Sequence, residues 1–156
     1  MGKSIEQQVQ ELEERLQAIK AQDFMTADVV MADEDSSLAE VADFMIKKRI
    51  SGLPVGGKDG EPKGIITATD LFTLIDIIRS GSIKENALNP KVSFAMSARI
   101  ISIEKTTSLS EIIDIMKRKN IHTIPVVEDG KMIGIVGRRD VFKNFYSAAQ
   151  NVATES

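Results

Sequence analysis

One pattern occurs twice in this chain. MTADVVMADEDSSLAEVADFMIKKRISGLPV, from Met25 to Val55, lies over MSARIISIEKTTSLSEIIDIMKRKNIHTIPV, from Met96 to Val126, without a gap. The offset is ~71 residues, and roughly a third of the paired positions are identical. One residue drops out in a turn. The match then resumes as Gly64-Ile65-Ile66-Thr67-Ala68-Thr69-Asp70-Leu71-Phe72 over Gly134-Ile135-Val136-Gly137-Arg138-Arg139-Asp140-Val141-Phe142. What has to be explained is one small module made twice.

The two copies read alike. Ser37-x-x-Glu40 and Ser108-x-x-Glu111 are capping boxes, which satisfy free N–H groups at a helix start. Leu38, Val41, Ala42 and Met45 recur as Leu109, Ile112, Ile113 and Met116, the i, i+3, i+4, i+7 stripe of an amphipathic helix. Lys47-Lys48-Arg49 and Lys117-Arg118-Lys119 fall in the last turn, where cations suit the helix dipole. A short strand follows around Leu53–Val55 and Thr123–Val127. Next comes a turn, Gly56–Pro62 in one copy and Glu128-Asp129-Gly130-Lys131 in the other, where Asp-Gly signals a hairpin. Second strands are expected at Lys63–Thr67 and Met132–Gly137, and further helices near Asp70 and Asp140. With edge strands near Val29-Val30 and Ile100-Ile101, each copy is β-α-β-β-α and the fold class is α/β.

Ser4 to about Gln22 precedes the repeats. Ile5, Val9, Leu12, Leu16 and Ile19 are spaced 4-3-4-3, a heptad seam on a polar helix. Such a stripe packs either on its own domain or on another chain, and the second alternative makes it an assembly element. The expected organisation is an N-terminal amphipathic helix at 1–22, one repeat at 23–80 and a connector at 81–92 carrying Gly81, Asn86 and Asn89-Pro90. The other repeat follows at 93–147, with a small polar tail at 148–156 that is expected to fray.

Composition narrows the function classes. Twenty Lys and Arg stand against 23 Asp and Glu, a net charge of -3, so there is no basic footprint for nucleic acid. Cys is absent, which removes disulfides, zinc–thiolate sites and cysteine nucleophiles. No apolar run approaches the ~20 residues of a membrane span, and Met1-Gly2-Lys3-Ser4-Ile5-Glu6 has no signal-peptide core. The cytoplasm is the expected compartment. No P-loop, paired catalytic carboxylates or nucleophile–base pair is readable, so no catalytic or metal-binding residue is assigned and no enzyme is expected.

Two β-α-β-β-α copies with h-x-h-Pro-Val (h, apolar), then Gly-Ile-[Ile/Val]-x-x-x-Asp-[Leu/Val]-Phe, resemble the CBS domain, named for cystathionine β-synthase. The resemblance covers about Gln22 to Ser147 and identifies a tandem pair. It implies two repeats packed about a pseudo-twofold axis, with clefts between them that bind adenosine-containing ligands in many members. There the family Asp holds the ribose hydroxyls, and the preceding Ser or Thr helps with ribose or phosphate. Carried over, the first cleft has Thr67, Thr69 and Asp70 with Ser51, Gly52 and Leu53, completed by Ala98, Arg99 and Ile100. The second has Asp140 with His122, Thr123 and Ile124, flanked by Arg138 and Arg139 and completed by Ala27, Asp28 and Val29. Gly137 stands there in place of the Ser or Thr. The implied ligand is AMP, ADP or ATP, ahead of S-adenosylmethionine or NAD, with no required cofactor. The implied partners are a second copy of the chain and an effector protein, with neither nucleic acid nor membrane.

Each signal also has a plainer reading. Thr67-x-x-Asp70 fits a capping box, so both residues can serve a helix start, a ribose, or both. Arg138 and Arg139 at a helix N-terminus oppose its dipole by ~0.3–1 kcal/mol each, unless an anion sits between them and the helix N–H groups. His122, the one histidine, lines the cleft or is a simple strand residue. The six phenylalanines read as core or helix-interface residues. Phe44, Leu74 and Ile75 are expected on the helix faces that meet a second copy. A nucleotide-binding regulatory module is thus set against a ligand-free structural or dimerisation module with vestigial clefts.

Overall fold

The protein is described here from a computed structural model covering residues 2–82 and 88–155. Asn86 of the connector and Ser156 of the tail lie outside the described residues. The elements run α1 (Ile5–Ala18), α2 (Ala21–Phe24), β1 (Ala32–Asp33), α3 (Leu38–Lys48), β2 (Gly52–Gly56), β3 (Pro62–Thr67) and α4 (Ala68–Arg79). After the connector come α5 (Val92–Ala95), α6 (Leu109–Lys119), β4 (Thr123–Glu128), β5 (Lys131–Gly137) and α7 (Arg138–Thr154). The β-α-β-β-α order appears in both copies, with the edge strands moved two or three residues later. In the second copy the edge strand shrinks to one parallel bridge, Ile103 to Val126.

The described residues form two compact units, and neither is a continuous stretch. Unit I draws on Met1–Asp28, Ser102–Glu128 and Ile133–Ser156, and unit II on Val29–Ile101 and Asp129–Met132. The segment leading into the first repeat therefore belongs to the unit built on the second repeat. The segment leading into the second repeat belongs to the unit built on the first.

In unit II, β1 pairs in parallel with β2, and β2 pairs antiparallel with β3. The strand β2 is Gly-Leu-Pro-Val-Gly, buried along its whole length, as an apolar run in the middle of a sheet should be. Leu53, Val55 and Ile66 meet Leu38, Val41 and Met45 of α3 and Leu74 of α4 in one core, with Val92 of α5. The α3 start is capped more fully than a capping box requires. Ser37 Oγ accepts from the Glu40 N–H at 3.3 Å, and the reciprocal bond from Glu40 does not form. Instead the Pro90 carbonyl accepts from the Leu38 N–H at 2.8 Å, and Asn89 Oδ1 accepts from the Ala39 N–H at 3.0 Å. Three N–H groups of the first turn are thus satisfied, two of them by the end of the connector.

Unit I repeats the plan with an added helix. The β4–β5 hairpin turns through Asp129 and Gly130, both at positive φ as the Asp-Gly pair implies, and this tip is the part of the hairpin that belongs to unit II. Ile124, Val126 and Val136 pack with Leu109, Ile112 and Met116 of α6 and with Val141 and Ala148 of α7. Here α1 lies against α6 and α7, burying Leu16 with Leu12 and Ile19 packed beside it. The seam is therefore split. Its second half packs on its own unit, while Ile5 and Val9 stay exposed at 78% and 60%. The helix stops at Ala18 rather than Gln22. The cause is that Ile19 and Ala21 are used as backbone partners, with Leu109 N–H donating to Ile19 O and Ala21 N–H to Thr107 O. The ammonium of Lys3 beside Glu11, with Arg15 adding to it, holds that carboxyl below its usual range.

The other break expected from sequence, after Ala148, is absent. Helix α7 continues to Thr154 because Ala148 and Val152 carry its buried stripe onward at i, i+4 spacing. Arg15 and Glu155 form an ion pair at the far end. Of the residues expected on exposed helix faces, Leu74 is buried and Phe44 half-buried. The large apolar side chains left exposed on α4 are Phe72 and Ile75, and on α7 they are Phe142 and Tyr146. Among the described residues, no helix is long and apolar enough to cross a membrane.

Candidate functional site

In unit II, the turn from β3 into α4 gathers the residues singled out in the first copy. Thr67 is the last residue of β3 and the N-cap of α4. Asp70 Oδ2 accepts hydrogen bonds from the Thr67 N–H and the Thr67 hydroxyl, both at 2.9 Å. In return the Asp70 N–H donates to Thr67 Oγ1 at 3.3 Å. The capping box is thus real, and it occupies one carboxylate oxygen. Asp70 Oδ1 has no hydrogen-bond partner among the described residues. Capping and ligand binding therefore do not compete for the same atom.

The neighbours are placed by backbone. Ala68 N–H donates to the Ser51 carbonyl at 2.9 Å, drawing the start of β2 against the start of α4. Gly52 and Leu53 then pair with Thr67 and Ile66. Thr69 is exposed, and its carbonyl accepts from the Thr73 hydroxyl. Ser97 exchanges two hydrogen bonds with Ile65, both 2.9 Å, so Ala98, Arg99 and Ile100 start alongside β3 within the same unit. Sequence reasoning missed a groove of about 120 Å³ beside Asp70, formed by Thr73, Leu74, Ile77, Phe94 and Ala95. The sequence carried no signal for it: Ala21–Phe24 and Val92–Ala95 stand at the repeat offset and are both short helices, but they share no identical residue.

Unit I carries the counterpart with altered chemistry. Arg138 N–H donates to the His122 carbonyl at 2.9 Å, the exact analogue in role of Ala68 and Ser51. Asp140 Oδ2 accepts from the Gly137 N–H at 3.1 Å, but Gly137 has no hydroxyl to complete the box. Thr123 and Ile124 lead β4 away from His122, and Thr26 exchanges two 2.9 Å hydrogen bonds with Ile135, so Ala27 and Asp28 follow beside β5. Val29, the next residue, is the first of unit II. Arg138 and Arg139 are both exposed, and neither forms an ion pair among the described residues. Arg138 Nη1 instead lies 3.5 Å from His122 Nδ1. Two exposed cations thus stand beside Asp140 at a helix N-terminus, where an additional anion would be stabilised by both the charge and the helix dipole.

A wider groove of about 320 Å³ in unit I runs beside α1 and α7, lined in part by Arg15, Ile19, Asp23, Asn144 and Asn151. It contains none of the residues carried over to the two clefts.

A β-α-β-β-α module made twice, with a Gly…Asp turn at the start of the last helix in each copy, defines a tandem α/β repeat fold. The CBS domain model matches residues 21–77 and 92–147, and the chain belongs to the CBS domain family. The uncharacterised protein MJ1225 of Methanocaldococcus jannaschii is 31% identical over 130 residues, covering 79% of this chain and 46% of that protein. The chain thus spans about half the length of that relative. Among solved structures, CBSX2 in complex with AMP aligns with a TM-score of 0.73 and 23% identity, over 83% of this chain and 97% of CBSX2. The CBS domain pair of MJ0100, in complex with 5′-methylthioadenosine and S-adenosyl-L-methionine, aligns with a TM-score of 0.71 and 24% identity, over 82% and 96% of the two chains. At these identities the likeness to the two structures is one of fold.

Proposed function

We propose that this chain is a regulatory module rather than an enzyme, binding an adenosine-containing nucleotide of the AMP, ADP or ATP class and passing the bound state to an effector protein. The observation that carries this reading is the Asp70 carboxylate. One oxygen is committed to the helix start and the other is open, next to Thr67 and the Ser51–Leu53 backbone. A vicinal diol is the ligand group that such an acceptor suits, through charge-assisted hydrogen bonds. The adenosine ligands of the two solved relatives support the same class.

Thermal unfolding with AMP, ADP, ATP, S-adenosylmethionine and NAD tests it. A ligand at 100 times its Kd adds ~2.7 kcal/mol, and ~1 kcal/mol moves the midpoint of a chain this size by about 2–4 °C. The expected rise is roughly 5–10 °C with the right nucleotide. If no adenosine compound at millimolar concentration moves the midpoint, the module is structural and its sites are vestigial.

Self-association belongs to the same reading. Phe72 and Ile75 on α4, and Phe142 and Tyr146 on α7, are large apolar surfaces left in water. A homodimer is expected to cover them. Sedimentation at micromolar concentration should then give about twice the 17.1 kDa chain mass, and a monomer at that concentration removes this part of the proposal.

A further inference from the structure

Gly64 and Gly134 occupy equivalent places in β3 and β5, and both are buried. Neither is among the glycines at positive φ, so the backbone does not demand glycine there. Space does. A Cβ on Gly64 would lie 2.6 Å from Met96 Sδ and 2.8 Å from the Ser97 carbonyl oxygen. A Cβ on Gly134 would lie 2.5 Å from Met25 Sδ, 2.9 Å from Met25 Cγ and 3.2 Å from the Thr26 carbonyl oxygen. In each unit a methionine thioether thus fills the hole left by a missing side chain. The next residue of the leader makes its one two-bond bridge to the next residue of the strand, Ser97 to Ile65 and Thr26 to Ile135. Beyond that bridge, Ala98–Ile100 and Ala27–Asp28 make no hydrogen bond among the described residues.

We propose that Met96 on Gly64 and Met25 on Gly134 are latches that set the position of the ligand-lining leaders, making these four residues positioning residues for the two sites. The ligand part rests on the function proposed above, whereas the latch stands on the contacts alone. The two latches differ in a way that can be tested. At Gly134 the tightest contacts are to the Met25 side chain, and the backbone needs to yield only a few tenths of an ångström. At Gly64 a backbone oxygen is itself too close.

The test uses the full chain, with amide exchange at Thr26, Ile135, Ser97 and Ile65 as one readout and AMP and ATP affinity by calorimetry as the other. Gly134→Ala should speed exchange at Thr26 and Ile135 by about tenfold, because overpacking opens the leader. In a Met25→Ala background the same substitution should add almost nothing. Gly64→Ala should remain damaging in a Met96→Ala background. Nucleotide affinity should fall about tenfold with each opened latch, while exchange in the middle of α6 stays unchanged. Should Gly64→Ala fail to fold, Met96→Ala alone makes no clash and should still speed exchange at Ser97 and Ile65. Unchanged exchange in Gly134→Ala, or a full further effect of Gly134→Ala in the Met25→Ala background, overturns the latch. Faster exchange with unaltered affinity overturns the positioning role. A wild-type chain that takes up neither nucleotide overturns the function on which the ligand part rests, and exchange then decides the latch by itself.

Discussion

Leu16→Ala should destabilise unit I by about 2–5 kcal/mol, the usual cost of emptying a leucine site in a packed core. Leu16 is only 5% exposed, and it belongs to the same cluster as Leu109, Ile112 and Val141. Its helix is therefore part of the second repeat's core rather than an appendage. Val9→Ala, on the same seam but 60% exposed, should change stability by no more than about 0.5 kcal/mol. A chain shortened to begin at Gln22 loses more still. It lacks Leu12, Leu16, Ile19 and the fully buried Ala21, and with them the Ala21-to-Thr107 and Leu109-to-Ile19 backbone bonds. Unit I should then unfold at a lower temperature than unit II, giving two transitions. Equal effects of Leu16→Ala and Val9→Ala in denaturant titrations would refute this placement of α1 and return the whole seam to an assembly role.

The seam shows what a sequence can and cannot say. Its period specified a helix with one apolar stripe, because 4-3-4-3 spacing leaves no other regular structure. Its partner was not readable, because Leu12 and Leu16 look no different from Ile5 and Val9 until α6 and α7 are in place. The duplicated elements were legible for a stronger reason: each local signal occurred twice in the same order. The Asp129-Gly130 turn, the Ser37 and Ser108 caps and the buried Pro-Val strands all stand where two copies agreed. The exchange of leaders was implied only by the family resemblance, which completes each cleft with Ala98–Ile100 or Ala27–Val29 of the other repeat, and not by the alignment of the copies. Alignment shows that Met25 corresponds to Met96, yet carries no information about which sheet each one joins. The overrun of α7 to Thr154 was hidden by composition, since Ala148 and Val152 are small enough to read as a polar tail. Within the candidate site, the type of each residue was readable from the motif. The division of Asp70 into a capping oxygen and an open one was not, because it depends on the side-chain torsion that Thr67 imposes.

That division makes Asp70→Ala an informative change. Losing the capping oxygen should cost ~0.5–2 kcal/mol of stability, as at other helix N-termini. Losing the open oxygen should cost a ribose ~1.5–3 kcal/mol, or roughly 10–100-fold in affinity. Thr67→Ala removes the cap hydroxyl and leaves Asp70 Oδ1 in place, so it should lower the melting temperature with a smaller loss of affinity. The second site should follow different chemistry. Gly137 supplies no hydroxyl, while Arg138 and Arg139 supply charge, so ATP and ADP should bind there ahead of adenosine and weaken as salt is added. Arg138→Ala with Arg139→Ala should abolish that preference and raise the stability of the unliganded chain, because each arginine opposes the α7 dipole by ~0.3–1 kcal/mol. Calorimetric titration of wild type, Asp70→Ala, Thr67→Ala and the double arginine variant separates these effects. If Asp70→Ala lowers the melting temperature but binds nucleotide as wild type does, Asp70 is a capping residue alone. If adenosine and ATP bind equally at every site, the arginines are two solvated cations and the second site has no phosphate chemistry.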